Sequence, residues 1–107
     1  MKVYTDASPS EIACVPETGL PYCKILIGNY TSNEAEYQAI IEALKHFPGV
    51  TEILSDSQLA VNQLNYKWAI KENRLRALAM RVRKLCPEGV IFTWVPREQN
   101  KAGKLLG

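Results

Sequence analysis

The stretch ILSDSQLAVNQLN, residues 53–65, passes from an apolar strand into a helix with almost no loop between them. TEILSD (51–56) reads as a strand, and SQLAVNQL begins a helix at once. Asp56 therefore stands where a strand ends and a helix starts. Aspartate is a favoured helix N-cap, and Ser57 is a second candidate for the same role.

On the N-terminal side lie three strand signals. KVYTDA places Val3 and Thr5 on one face and Lys2, Tyr4 and Asp6 on the other. EIACVP stops at Pro16, and YCKILIGNY (22–30) follows the turn residues ETGLP. Short links between the three favour an antiparallel meander. TSNE then has the form of a capping box, with Thr31 as cap and Glu34 three residues on. The helix it opens runs to about His46 or Phe47, where ProGly at 48–49 stops it.

On the C-terminal side, an arginine-rich helix spans Glu72 to Leu85 and GVIFTWV forms a fifth strand. REQNKAGKLLG supplies a last short helix. The order β-β-β-α-β-α-α-β-α predicts a mixed five-stranded sheet with helices on both faces. At 107 residues, the chain has room for one domain with one core, residues 1–107.

Composition narrows the function classes. Hydrophobic residues make up 47% and charged residues 22%, as in ordinary globular proteins. No apolar run approaches the roughly 18 residues that span a bilayer, so no membrane association is expected. MKVYTDAS does not read as a signal peptide, and a cytoplasmic protein is expected. Cys14, Cys23 and Cys86 are widely spaced and form no CxxC pair, which argues against a structural zinc site and fits reduced thiols. The net charge of +2 permits a polyanionic partner without requiring one.

Three acids occupy positions where acids are costly. Glu36, Ile40, Ala43 and Phe47 share one helical stripe that is apolar except for Glu36. Asp6 closes the first strand, where an Asx turn beside Ser8 is its simplest role. If the first and fourth strands are parallel neighbours, Asp6 and Asp56 emerge together at the carboxyl edge of the sheet, where open α/β sheets place their sites. The start of the first helix brings Glu36 over the same spot. Three carboxylates there repel one another unless a cation neutralises them. Oxygen ligands alone point to Mg²⁺ or Mn²⁺.

VYTDAS, TSNEAEYQAIIEAL, ILSDSQLAVNQLN and FTWVPREQNKAGKLLG, in that order, resemble the type 1 ribonuclease H family, particularly its compact bacterial and archaeal members. The resemblance spans nearly the whole chain. It implies a ribonuclease H-like α/β fold with sheet order 3-2-1-4-5, and a two-metal endonuclease that cuts the RNA strand of RNA–DNA hybrids. Asp6, Glu36 and Asp56 match the family's first three metal-binding carboxylates. Thr31 matches a position that helps hold a DNA phosphate. Ser32, Asn33 and Gln58 match residues that read the minor groove, where 2′-hydroxyls distinguish RNA from DNA. Helix capping is the competing role for Thr31 and Asn33. Lys67, Trp68 and Lys71 sit where larger relatives carry a basic protrusion.

The last motif departs from the pattern. Asn100, Gly103 and Leu106 fit, but Lys104 holds the place of a fourth acid, and Arg97 occupies part of a loop in which some members use a histidine. Arg97, Asn100 and Lys104 are expected to contact substrate, Lys104 through a phosphate; Asn100, Glu98 or the terminal carboxylate of Gly107 are also the candidate substitutes for the missing ligand. Two readings stay open. One is an active, slow or Mn²⁺-preferring nuclease with a weakly held second ion, and the other is a hybrid-binding module that has lost the chemistry. No obligate protein partner is evident.

Overall fold

The structure, a computed structural model, describes residues 1–106. Five strands form one mixed sheet: β1 (Lys2–Ser8), β2 (Glu11–Pro16), β3 (Tyr22–Ile25), β4 (Glu52–Ser55) and β5 (Ile91–Trp94). Their order is β3-β2-β1-β4-β5, as expected. β1–β2 and β2–β3 pair antiparallel, whereas β1–β4 and β4–β5 pair parallel. The helices are α1 (Ser32–His46), α2 (Gln58–Leu64), α3 (Asn73–Leu85) and α4 (Lys101–Leu106), with a 3₁₀ turn at Arg97–Gln99.

The two faces of the sheet are covered unequally. Val3, Cys14 and Ile53 point into one core with Tyr37, Ile40 and Ala43 of α1, Leu64 of α2 and Leu75, Ala79 and Val82 of α3. α4 lies across β1 and β2. It meets the other face, where the Lys101 ammonium sits 5.5 Å from the centre of the Tyr4 ring. Alternation along β1 thus assigns Val3 to the main core and Asp6 to the side that faces α4.

Two boundaries differ from the sequence reading. β1 continues past Asp6 to Ser8, because β2 goes on pairing with it as far as Glu11 opposite Ser8. Asp6 is therefore inside a strand rather than at its close. β3 ends at Ile25 instead of continuing to residue 30, since β2 offers no partner beyond Glu11 and Gly28 turns the chain at φ 128°. Ile27, which the longer strand would have paired, is 90% exposed.

The capping box at Thr31 forms as expected. Thr31 Oγ1 accepts from Glu34 N at 3.1 Å, and Glu34 Oε1 accepts from Thr31 N at 3.1 Å. α1 ends at His46, with Phe47 as its C-cap. His46 stacks on Tyr22 and lies 3.2 Å from Glu42 Oε2. Glu42 is buried, so Glu36 is not the only inward acid of α1. Lys24 of β3 donates to Glu42 at 3.0 Å, which neutralises that second acid.

Candidate metal centre

Register places the first two acids. Thr5 pairs with Ser55 in the last rung of the parallel ladder between β1 and β4. Asp6 and Asp56 are the next residue on each chain, so they leave adjacent strands at the same level. Above them, α1 begins close to the sheet and carries Glu36 one turn inside its N-terminus. One oxygen from each of Asp6, Glu36 and Asp56 lies within 4.8 Å of the others. Chain segments thirty and twenty residues apart converge on one point.

The competing role proposed for Asp56 goes to its neighbour. Ser57 caps α2 by accepting from Ala60 N at 3.2 Å. Ser55 Oγ accepts from Ser57 N at 3.0 Å, and Trp94 Nε1 donates to the Asp56 backbone carbonyl at 3.2 Å. The backbone of Asp56 is thereby held on both sides while its carboxylate stays free.

The electrostatics are those of a cation site. Burial pushes the Glu36 carboxyl up to about 8, and repulsion from Asp6 and then Asp56 adds to the shift. Asp6 is raised as well, by burial first and by Asp56 second; the Arg97 guanidinium and the Ala7 backbone act in the opposite direction. Glu36 Oε1 and Asp56 Oδ2 are buried without a hydrogen-bond partner. Unpaired buried carboxylate oxygens are costly unless something positive meets them. An all-oxygen cluster with free, converging lone pairs fits a hard divalent ion.

The remaining expected residues are distributed around this centre. Ser32 and Asn33 are exposed in the first turn of α1, and Gln58 is exposed at the start of α2. Thr31 is exposed too, with its hydroxyl oxygen engaged in the cap. Arg97 is exposed in the 3₁₀ turn and acts on both Asp6 and Glu36 through its charge.

Asn100 departs from expectation. It is fully buried; its Nδ2 donates to Thr5 O at 2.9 Å and its Oδ1 accepts from Ala102 N at 3.0 Å. Both ends of the amide are engaged inside the fold. Asn100 thus ties α4 to β1, with its amide oxygen and nitrogen already engaged. Glu98 does not join the cluster of three acids either. The carboxylate of Gly107 lies outside the described residues. Lys104 is exposed and forms no ion pair among the described residues.

Sequence reading alone did not reveal how closely α4 approaches the acids. At Gly103 a Cβ would stand 3.2 Å from Asp6 Oδ2, so the helix backbone seats directly on that carboxylate. The small residue at 103 was the available signal. Nor was the Trp94 contact to Asp56 legible, since it depends on the parallel pairing of Ser55 with Trp94.

The sheet order, the helices and the three-acid edge define a ribonuclease H-like fold. The chain belongs to the reverse transcriptase-like family, whose model matches residues 14–106. RNase H1 from the archaeon Halobacterium salinarum superposes with a TM-score of 0.81 at 29% identity, over 98% of this chain and 92% of that one. LC11-RNase H1, solved in complex with an RNA/DNA hybrid, gives 0.75 at 26% identity over 99% of both chains. A bifunctional protein of Mycobacterium tuberculosis is 35% identical over 89 residues, which cover 78% of this chain. The chain spans about a quarter of that relative's length, 24%.

Proposed function

We propose that this chain is a metal-dependent endonuclease that hydrolyses the RNA strand of RNA–DNA hybrids. The observation that carries the proposal is the convergence of Asp6, Glu36 and Asp56 within 4.8 Å, two of them presenting buried, unpartnered oxygens. The structural likeness to an RNase H1 bound to a hybrid supports the substrate class.

Asp6, Glu36 and Asp56 would hold Mg²⁺ or Mn²⁺, two ions in the full reaction. Bound there, divalent ions supply an activated water and neutralise charge at the leaving 3′-oxygen, leaving 5′-phosphate ends. The residues of the chain supply position. Asp6 is fixed by the β1–β2 ladder, Asp56 by its backbone contact to Trp94, and Glu36 by the capped start of α1. Ser32, Asn33 and Gln58 are exposed in the first turns of α1 and α2, and on this reading they contact the minor groove of an A-form-like duplex. Thr31 and Arg97 supply contacts to phosphate, and Lys104 is a further cation on the same rim. The three thiols are free, which suits a cytoplasmic setting, and no helix among the described residues is long and apolar enough to cross a membrane.

A second reading is favoured by one observation. Only three acids meet at the centre, with Lys104 exposed where a fourth would stand and Asn100 occupied elsewhere. On that reading the domain binds hybrids and does not cut them. Incubation of end-labelled hybrid, duplex RNA and duplex DNA with Mg²⁺ or Mn²⁺ decides between the two. Cleavage of the RNA strand of the hybrid alone, lost in Asp56→Asn, is the expected result. Binding without cleavage in either metal would establish the second reading.

A further inference from the structure

Charge is strongly segregated along this chain. Residues 67–85 carry seven cations and one anion, a net charge of +6, whereas the rest carries six cations and ten anions, a net charge of −4. The segment comprises the link after α2 and all of α3. Between Asn73 and Leu85 there is no acid at all, and Arg74, Arg76, Arg81, Arg83 and Lys84 stand on one helix.

This pattern works against the helix itself. Like charges three and four residues apart repel, as Arg81 and Lys84 do. Arg74 and Arg76 sit in the first turns, where the positive end of the helix dipole disfavours cations; that turn holds no acid, and only Arg74 has one beside it, Glu34 of α1. A helix whose outer face serves only solubility alternates sign. Here the repulsion is left standing.

Two of the arginines are engaged by neighbouring groups of the chain. Arg76 Nε donates to Ile70 O at 2.6 Å, and Arg83 lies 4.4 Å above the Tyr66 ring. The others form a solvent-facing stripe. Arg74, Ala77, Arg81 and Lys84 recur at spacings of three, four and three, and all four are exposed. Arg81 and Lys84 have no ion-pair partner among the described residues. Ala77, between them and Arg74, keeps the stripe shallow.

The stripe is continuous with the site. Arg74 lies 3.7 Å from Glu34, in the first turn of α1 beside Asn33. Asn33 and Lys71 line one hollow with Leu75. From that end α3 runs away from the carboxylates, and Lys84 stands about 15 Å further along, at 1.5 Å per residue. We propose that the outer face of α3 is a second contact for nucleic acid. It would bind, through phosphate, the backbone of the same molecule outside the stretch held at the acids. This rests on the nucleic-acid reading above, and the partner is a polyanion because Arg81 and Lys84, which have no ion-pair partner among the described residues, match a row of negative charge.

Both cations project into solvent, so Arg81→Gln with Lys84→Gln leaves the fold intact. Binding is measured in Ca²⁺ across a salt series, with hybrids of about 30 and about 8 base pairs. The long hybrid should lose up to about two units of salt slope in the double variant, at roughly 0.9 per phosphate contact. The short hybrid should be bound, and cleaved in Mg²⁺ or Mn²⁺, as by wild type. An unchanged slope with the long hybrid overturns the proposal and leaves α3 for an anionic protein or surface. An equal loss in a control carrying Lys2→Gln and Lys45→Gln also overturns it, because net charge alone would then explain the effect. Failure of wild type to cleave either hybrid bears on the nuclease reading instead, since the slope is read without cleavage.

Discussion

Asn100 Nδ2 reaches across 95 residues of chain to donate to Thr5 O at 2.9 Å, one residue before Asp6. The same side chain caps α4 through Ala102 N. One buried amide thus joins the helix that seats on Asp6 to the strand that carries it. Asn100→Ala leaves a buried carbonyl and a buried N–H unpaired, each costing on the order of 1–3 kcal/mol. Urea unfolding should show a loss of about 3 kcal/mol. A loss under about 0.5 kcal/mol would mean that water replaces the amide without cost.

Glu36 makes the metal-free protein sensitive to pH. Its carboxyl is pushed up to about 8 in the fold, above an ordinary value of 4.5, so the folded state binds the extra proton between those two. Stability from this group is therefore full below pH 4.5 and declines as pH rises towards 8. Glu36→Gln should flatten that decline in chelator. Saturating Mg²⁺ should do the same for wild type by neutralising the carboxylate. A denaturation midpoint that is already flat across this range in chelator would remove the assignment.

Lys104 stands where the family resemblance places a fourth acid. Lys104→Asp should tighten Mn²⁺ binding up to about tenfold, about 1.4 kcal/mol, and raise the rate of hybrid cleavage. Calorimetric titration and a single-turnover assay read the two effects separately. No change in either would place position 104 too far from the acids to act.

Glu42 is a structural acid, in contrast with Glu36. Lys24 at 3.0 Å and His46 at 3.2 Å satisfy it, and the pair ties the edge strand β3 to α1. Glu42→Gln keeps the shape and removes the charge. It should cost about 1–2 kcal/mol in stability, since one charged hydrogen bond becomes neutral. Metal affinity should not move. A change in Mn²⁺ affinity would couple this pair to the centre and contradict its separation from it.

These residues also show what could be read before the fold was seen. Asp56 was legible because a strand end that meets a helix start is a local signal, Asp6 because it lies on the first strand's polar face, and Glu36 because its stripe was otherwise apolar. A mixed five-stranded sheet followed from short links and crossovers, and its order from the resemblance to the ribonuclease H family. Glu42 was not legible as an inward acid, since its partner Lys24 enters through β2–β3 pairing eighteen residues away. Asn100 was read from its place in the family's last motif, as a substrate contact or a substitute ligand. Its acceptor belongs to β1, and nothing local announces it. The strand boundaries at Ser8 and Ile25 were likewise set by where β2 begins, at Glu11, a property of the partner.

The most direct test of the whole account is a calorimetric titration of Mn²⁺ into the wild type and into Asp6→Asn at pH 8. The account predicts binding by the wild type and a loss of at least about tenfold in affinity when one of three converging carboxylates becomes an amide. Equal affinity in the two proteins would show that Asp6, Glu36 and Asp56 do not form a metal centre.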